Sequence, residues 1–368
     1  MKLPFRGAVD CDIHPAAPPI TALLPYMSEY WREQIRNRYI DRFGFAMTSN
    51  NPLLPIHGRP DWKPKGGVPG SDLGLLRSQA LDAFGSAYAI CNILHGAAAL
   101  YHGDMASAIL SAFNDWVAKE LLPTDHRLRG SIVVSLQDPR LAVMEIERLA
   151  DNPGFVQVLL PALGELTIGR RIYWPVFEAA SRFDLPVCLH TGGLYRHAPM
   201  GNGWPSYFVE DYVTQSAGFE GALVSLLAEG VFQKFPDLTF VLAESGVTWL
   251  PQFLWRQDKM WFAVRTELPW IDRLPHEIIG ERVRLTLQPF DAPSDPKLVE
   301  RVLDHFGTDE VLLFSSDYPH WHFEGQDVVP DGFCSDLIQK IAIDNPYAVY
   351  RRLQKINPEP STASEVTA

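Results

Sequence analysis

The sequence predicts a (β/α)8 barrel, in which eight parallel strands are each followed by a helix. Two observations lead to this prediction. Eight short β-rich runs alternate along the chain with longer segments of helical periodicity. Most of these runs are continuously apolar, as expected of parallel strands that are covered on both faces. A doubly wound open sheet is the alternative architecture for the same alternation.

The predicted strands are short segments with few polar interruptions. They are AVDCDI (8–13), YAICNIL (88–94), SIVVSL (131–136), FVQVLL (155–160), PVCLH (186–190), LTFVLAE (238–244), VRLTL (283–287) and VLLFSSD (311–317). Helical spacing of apolar residues fills the intervals and is clearest in 104–122, 139–150, 174–183 and 295–306. We expect one barrel domain over residues 1–356 and a disordered polar tail over 357–368.

Two segments interrupt the alternation of strands and helices. Residues 15–72 are rich in Pro, Gly, Asn and aromatic residues, and residues 192–207 after the fifth strand are similar. A long insertion after the first strand would lie at the carboxyl-terminal face of the barrel, as a lid or a subunit contact. A homo-oligomer, either a dimer or a tetramer, is therefore expected, and a hetero-oligomer is the alternative.

The composition excludes several classes of partner. With 46% hydrophobic residues among 368, the chain can bury a large core. Its formal net charge of -12 gives no basic surface for nucleic acid or for an anionic membrane. The first residues lack the apolar core of a signal peptide, and no apolar run is long enough to span a bilayer.

The cysteines indicate a reducing compartment. Cys11, Cys91, Cys188 and Cys334 lie far apart in the sequence, and the first three fall in strand-like apolar runs. This spacing is typical of buried thiols rather than of a disulfide framework or a CxxC metal site. We therefore expect a cytoplasmic protein.

Polar residues that can bind metal stand at the ends of the predicted strands. They are Asp10, Asp12 and His14 at strand one, His190 at strand five, Glu244 at strand six, Gln288 at strand seven and Asp317 at strand eight. The carboxyl ends of barrel strands converge on one site, where so many acids would repel one another without cations. Mixed carboxylate and imidazole ligands therefore predict a divalent metal.

Each of these residues also has a simpler interpretation when it is taken alone. His190 could be a hydrogen-bonded core histidine, and Glu244 could cap the helix that follows it. His320 and His322 could be loop residues packed beside Trp321. The convergence of several such residues on one face of a barrel favours the metal site over these readings.

Four motifs resemble one family of enzymes. They are CDIHP (11–15), VCLHTGG (187–193), LAESGVTWLPQFLWRQD (242–258) and FSSDYPHW (314–321). With them the chain resembles the amidohydrolase superfamily, in the branch that contains the aminocarboxymuconate-semialdehyde and γ-resorcylate decarboxylases. The resemblance covers essentially the whole barrel.

The resemblance implies a set of metal ligands and two departures from the family pattern. The implied ligands are Asp12, His14, His190 and Asp317, for Zn or Mn. Asp12 replaces the His or Glu that is usual in the strand-one motif. Glu244 stands in a region where the decarboxylases have a histidine that acts on the substrate, so that Glu244 could serve as a general base or bind a metal itself.

Three functions follow as hypotheses. The first is a metal-dependent hydrolase or decarboxylase of a small, possibly aromatic, carboxylic acid, with Glu244, Asp317 and His320 as catalytic residues. Its candidate substrate-binding residues, on loops after strands five and eight, are Arg196, His197, Trp204 and His322. The second is a dinuclear Fe or Mn oxygenase that hydroxylates a small amino or carboxylic acid. The third is a non-catalytic metal-binding subunit that supports an active partner.

Overall fold

Eight parallel strands form one sheet in the computed structural model, which describes residues 6–41, 58–194, 198, 201, 203–320 and 328–354. The strand order follows the chain from β1 to β8, and every pairing of neighbours is parallel. The strands are β1 Ala8–Ile13, β2 Ser86–Cys91, β3 Leu128–Val133, β4 Phe155–Leu163, β5 Val187–Gly193, β6 Phe240–Ala243, β7 Val283–Thr286 and β8 Leu312–Leu313. This arrangement confirms the predicted (β/α)8 barrel.

Several strands differ in extent from the apolar runs in the sequence. β2 ends at Cys91 and β8 comprises only Leu312–Leu313. Hydrogen bonds rather than hydrophobicity set the limit of β8: the Phe314 amide donates to the Ile341 carbonyl, and the Ser316 amide donates to the Asp10 carboxylate. The eighth run is therefore buried along its length but pairs as a strand over two residues only.

Helices follow the strands. Those of the described residues are α1 Ile20–Leu23, α2 Glu29–Asn37, α3 Leu73–Leu76, α4 Gly103–Trp116, α5 Pro139–Leu149, α6 Trp174–Arg182, α7 Phe208–Ala228, α8 Val231–Lys234, α9 Leu250–Val264, α10 Pro275–Arg282, α11 Pro296–Asp304, α12 Ser335–Gln339, α13 Asn345–Val349 and α14 Arg351–Gln354. Short 3-10 turns cover Leu24–Tyr26, Pro60–Trp62, Gly96–Ala99, Leu122–Thr124 and Arg171–Tyr173, and π-helical turns cover Arg77–Leu81, Val117–Leu121 and Lys340–Asp344.

Local sequence fixes where some of these helices begin. Asp138 and Asp295 are the N-caps of α5 and α11, and each carboxylate accepts a backbone hydrogen bond from the first turn. Each cap is followed by a proline at the first helical position, where its missing N–H costs nothing. Both helices start at the positions that the periodic sequence predicts, to within one residue.

The barrel closes between its first and last strands through a few hydrogen bonds and one isolated parallel bridge, Ile13 to Tyr318. The Cys11 amide donates to the Phe314 carbonyl at 2.9 Å, the His14 amide to the Tyr318 carbonyl at 2.7 Å, and the Asp317 amide to the Asp12 carbonyl at 3.0 Å. We call this contact the β8–β1 closure. It holds the ends of the first and eighth strands against each other.

Part of the insertion after β1 packs on this closure. The Arg59 amide donates to the Pro319 carbonyl at 3.0 Å, and the Trp62 and Tyr318 rings lie 4.9 Å apart. Gly70 has a φ of +77°, and a Cβ there would lie 2.3 Å from the carbonyl oxygen of His14. Only glycine lets the chain pass so close to His14. Residues 58–72 thus lie at the carboxyl-terminal face.

Two further sequence expectations bear on the fold. Four cysteines are free, and Cys11, Cys91 and Cys188 are buried while Cys334 is exposed. Across the described part of the chain, no helix combines the length and the apolar character needed to cross a membrane. The expected tail, 357–368, lies outside the described residues.

Candidate metal centre

Six of the predicted site residues meet at the carboxyl-terminal end of the barrel. Asp12 lies in β1, His14 directly follows β1, His190 lies in β5, Glu244 follows β6, and Asp317 and His320 follow β8. All six are buried. The parallel arrangement explains the convergence, because residues at the carboxyl ends of the strands share one face.

The imidazole of His14 lies at the middle of the cluster. Its Nε2 is 3.1 Å from Asp12 Oδ1, 3.1 Å from Glu244 Oε1 and 3.1 Å from Asp317 Oδ1. These three carboxylates come from the ends of three different strands. Such a close approach of one imidazole nitrogen to three carboxylate oxygens is expected where all four atoms are ligands of a common cation.

His190 approaches the same carboxylates from β5. Its Nε2 lies 3.6 Å from Asp12 Oδ2 and 3.5 Å from Glu244 Oε1. Its Nδ1 lies 2.9 Å from the Thr191 carbonyl oxygen, to which it can donate a hydrogen bond. That bond places the proton on Nδ1 and leaves the Nε2 lone pair directed at the cluster, as in a metal-binding histidine.

His320 joins the cluster from the loop after β8. Its Nδ1 is 2.8 Å from Asp317 Oδ1 and 3.2 Å from Glu244 Oε1, and its ring lies 4.5 Å from that of His14. His320 is therefore in contact with two of the acids that surround His14. From the sequence, His320 is assigned a catalytic role, and that role stays a prediction.

The six residues form two overlapping groups of possible ligands. One group contains Asp12, His14, His190 and Glu244, and the other contains His14, Glu244, Asp317 and His320. Within each group the ligand atoms lie within 4.8 Å of one another. His14 and Glu244 belong to both groups, so the cluster offers positions for one cation or for two adjacent cations.

The hydrogen bonding of these residues tests whether a metal fits. Asp12 Oδ2, His14 Nδ1 and His190 Nε2 are buried and have no hydrogen-bond partner among the described residues. A buried polar atom without a partner costs about 1–3 kcal/mol. Carboxylate oxygens and imidazole nitrogens are ligands for Zn, Mn and Fe. A divalent metal would satisfy Asp12 Oδ2 and His190 Nε2, so the residues fit the predicted cofactor.

The charges of the cluster also favour a cation. Burial lowers the pKa of His14, but the carboxylates of Asp12, Asp317 and Glu244 outweigh it and hold that pKa well above its usual range. Burial and the charge of Asp317 raise the pKa of Glu244, but His190, His14 and His320 lower it by more. The net result is a pKa lowered to about 2. Glu244 is thus ionised, and the carboxylates around His14 attract positive charge.

The backbone at two of the acids is in an uncommon conformation. Glu244 has a φ of +52° and Asp317 a φ of +54°, in the left-handed region that non-glycine residues seldom adopt. Such residues cost roughly 1–2 kcal/mol and persist where the surroundings hold them. For Glu244, the amide donates a hydrogen bond to Thr286 Oγ1 at 3.1 Å. Both carboxylates are turned into the cluster by their backbones.

Asp10 and Gln288, which the sequence placed at strand ends, make contacts outside the metal-binding cluster. Asp10 Oδ1 accepts hydrogen bonds from the Ser316 amide and the Asp12 amide, at 3.0 and 3.3 Å. The side chain of Gln288 donates to the Val328 carbonyl at 2.5 Å. Among the described residues, neither belongs to either group of possible ligands. Asp10 supports the β8–β1 closure instead.

The predicted substrate-binding residues lie mostly beyond the described part of the chain. Arg196, His197 and His322 fall outside it. Trp204 is described and is 59% exposed. Their roles stay predictions.

Sequence reasoning overlooked several residues beside the centre. The side chain of Asn92 donates to Asp12 Oδ1 at 2.9 Å, and Ser131 and Gln157 in turn contact Asn92. A polar residue within a mostly apolar strand run was the available signal for all three. Tyr212 in α7 was also overlooked. Burial raises the pKa of its phenol, and nearby acids that include Glu244 raise it further.

Comparisons with known proteins agree on one family. The profile of a family described as amidohydrolase matches residues 9–352. A γ-resorcylate decarboxylase of Polaromonas sp. is 28% identical over 234 residues, which cover 60% of this chain and 68% of that protein. A γ-resorcylate decarboxylase of Rhizobium radiobacter is 26% identical over 235 residues, which cover 61% of this chain and 69% of that protein.

Solved structures with the same fold cover almost the whole chain. A 2,6-dihydroxybenzoate decarboxylase from Rhizobium superposes with a TM-score of 0.67 at 19% identity, covering 94% of this chain and 99% of that one. A 5-carboxyvanillate decarboxylase from Sphingomonas paucimobilis gives 0.66 at 19% identity, with 94% and 99% covered. A dihydroxybenzoic acid decarboxylase from Polaromonas sp., solved with manganese and 2-nitroresorcinol, gives 0.64 at 18% identity, with 94% and 97% covered.

Proposed function

Because this chain belongs to the amidohydrolase family, we propose that it is a metal-dependent decarboxylase of a small aromatic carboxylic acid. The observation that supports this most directly is the buried cluster around His14, whose nitrogen lies 3.1 Å from three carboxylates. The curated relatives, which are named as decarboxylases of γ-resorcylate, favour decarboxylation over hydrolysis.

The proposed metal ligands are Asp12, His14, His190 and Asp317, with Glu244 able to join them. When bound, a divalent metal would supply positive charge that attracts the substrate's oxygen atoms to the mouth of the barrel. Manganese or zinc suits this ligand set. The chain's own contribution is to hold these ligands in a dry site, because all of them are buried.

Decarboxylation of an aromatic acid breaks the bond between the ring carbon and the carboxyl carbon. Carbon dioxide leaves and the ring carbon takes up one proton. Glu244 and His320 are the groups proposed to hold and move that proton, since His320 Nδ1 lies 3.2 Å from Glu244 Oε1. Asp317 orients His320 through its contact of 2.8 Å. Glu244 would thereby take over the role of the histidine that is missing after the sixth strand.

Substrate recognition is proposed to involve the loops after β5 and β8. Arg196, His197 and His322 carry or can acquire positive charge, which suits a carboxylate, and Trp204 offers an aromatic face. We propose that the acid enters between these two loops.

The test is an assay of protein reconstituted with manganese or zinc against a panel of hydroxybenzoic acids, including 2,6-dihydroxybenzoate and 5-carboxyvanillate. Release of carbon dioxide and loss of the substrate's ultraviolet absorbance are measured together. Asp317→Asn should lower turnover by about 100-fold or more and reduce metal content. Asp304→Asn is the matched control, since Asp304 is exposed at the end of α11.

An Asp317→Asn variant that retains both metal and turnover would refute the proposal. Hydrolysis of an ester or amide by the reconstituted protein, with no carbon dioxide from any acid, would assign the same centre to hydrolysis instead.

A second candidate function, an oxygenase with two metal ions, is favoured by the two overlapping groups of ligands. In that reading two iron or manganese ions would be held by Asp12 and His190 and by Asp317 and His320, with His14 and Glu244 available to either ion. Metal analysis of protein purified without chelator distinguishes the two candidates. Two ions per chain with substrate-dependent oxygen uptake would support the oxygenase, and one ion without oxygen uptake would exclude it.

A further inference from the structure

A line of buried hydrogen bonds runs through the barrel from Asp12 to Tyr350. Asn92 Nδ2 donates to Asp12 Oδ1 at 2.9 Å. Gln157 Nε2 donates to Asn92 Oδ1 at 2.7 Å, and the Tyr350 hydroxyl donates to Gln157 Oε1 at 3.0 Å. All four side chains are essentially inaccessible to solvent. Tyr350 lies between α13 and α14, so the line joins the C-terminal helices to a candidate metal ligand.

The line has a fixed direction. An ionised carboxylate can only accept, so Asn92 must present its NH2 group to Asp12. The Asn92 oxygen then faces Gln157, which must present its own NH2 group, and the Gln157 oxygen must receive the hydroxyl of Tyr350. Reversing any one amide would bring two acceptors or two donors together in a buried setting. Every group therefore depends on the next one for its orientation.

Ser131 strengthens the middle of the line. Its hydroxyl donates to Asn92 Oδ1 at 2.6 Å and accepts from Gln157 Nε2 at 2.9 Å. The Asn92 oxygen thus has two donors, while its Nδ2 also lies 3.3 Å from the Cys11 carbonyl. The amide of Asn92 is held on both sides.

We infer that Tyr350, Gln157 and Asn92 are positioning residues that set the metal affinity of Asp12 from the opposite end of the barrel. Asn92 donates a hydrogen bond to Asp12 Oδ1. The other carboxylate oxygen, Asp12 Oδ2, therefore lies toward His190 Nε2, at 3.6 Å. Residues that orient a ligand in this way change metal affinity by about 10–100-fold when they are altered. The inference rests on the proposed function, because it takes Asp12 to be a metal ligand.

The hydroxyl of Tyr350 is the most informative group to remove. Tyr350→Phe keeps the buried ring and takes away one oxygen, which leaves Gln157 Oε1 without that donor. The Gln157 side chain is then no longer held at that end, and its hydrogen bonds to Asn92 and Ser131 are free to lengthen. We expect the dissociation constant for manganese to rise by about 10-fold, although Tyr350 lies far from any candidate ligand in the sequence.

The experiment is a double-mutant cycle with manganese affinity as the readout, measured by competition with a fluorescent chelator. The variants are Tyr350→Phe, Asn92→Ala and the two combined. If the residues act through one line, Tyr350→Phe should weaken binding in the wild-type background and have almost no effect once Asn92 is alanine. Tyr26→Phe is the matched control, since its hydroxyl contacts Glu120 rather than the barrel interior.

Each outcome decides the inference. An unchanged manganese affinity in Tyr350→Phe, or effects of the two substitutions that simply add, would overturn it. If Asn92→Ala does not fold, Asn92→Ser completes the cycle. A wild-type chain that binds no metal would overturn the proposed metal site, and the positioning role with it. Normal wild-type binding with an unaffected Tyr350→Phe variant would overturn the positioning role alone.

Discussion

Adding a divalent metal to the metal-free protein is expected to raise its melting temperature. Asp12 Oδ2 and His190 Nε2 are buried without a hydrogen-bond partner among the described residues. Each such atom costs about 1–3 kcal/mol, which a bound cation would offset. Metal at about a thousand times its dissociation constant stabilises the folded state by about 4 kcal/mol. At an unfolding entropy of about 2.1 cal/mol/K per residue, a chain of 368 residues shifts by about 1.3 °C per kcal/mol, so the melting temperature should rise by about 5 °C.

The assay is differential scanning calorimetry of chelator-treated protein, at one scan rate, with increasing manganese or zinc. Asp12→Asn should lose most of the shift because it weakens a ligand, and Asp304→Asn should show the full shift. A melting temperature that responds to neither metal would refute the reasoning, since the buried atoms would then have some other partner. An equal shift in Asp12→Asn would show that the metal binds elsewhere.

Three further predictions follow from single residues. Glu244→Gln should lower turnover by about 100-fold or more and retain metal in elemental analysis, and normal turnover would exclude Glu244 from proton transfer. Burial lowers the pKa of His95 to about 4, so the unfolded chain binds the extra proton and stability should fall by up to roughly 3 kcal/mol as the pH drops from 6.5 to 4. Denaturant unfolding of His95→Gln should be less dependent on pH in that window, and an unchanged dependence would contradict the assignment. Gly70→Ala should cost more than about 1 kcal/mol and reduce metal content, because its Cβ would collide with the His14 carbonyl, whereas Gly66→Ala, which meets no atom within 4 Å, should leave metal content unchanged.

The barrel could be predicted from the sequence because its evidence is repetitive. Eight apolar runs and the helical segments between them repeat the same signal, so an error at one run does not change the architecture. The strand ends were less predictable, since hydrogen bonding determines them. In the eighth run, the Phe314 amide donates to the Ile341 carbonyl and the Ser316 amide to the Asp10 side chain, and neither the hydrophobicity nor the burial of these residues indicates those partners.

The sequence predicted which residues form the candidate site but not which of them contact one another. Asp12, His14 and Asp317 stand at strand ends, where a barrel concentrates its chemistry. The contacts of His14 with three acids, and the contact of His320 with Glu244, depend on side-chain directions that spacing does not specify. Asn92 and Tyr350 lie 258 positions apart in the numbering, and nothing local in the sequence links them.

The β8–β1 closure has a consequence for the synthesis of the chain. The Ser316 amide and the Asp10 carboxylate that it contacts are separated by 306 positions. Translation at about 5–20 residues per second leaves the first strand waiting on the order of 15–60 s for the eighth to leave the ribosome. During that interval Asp12 and His14 exist without Asp317. A nascent or prematurely terminated chain without the eighth strand therefore lacks Asp317 and His320, and the second group of ligands is completed only near the end of synthesis.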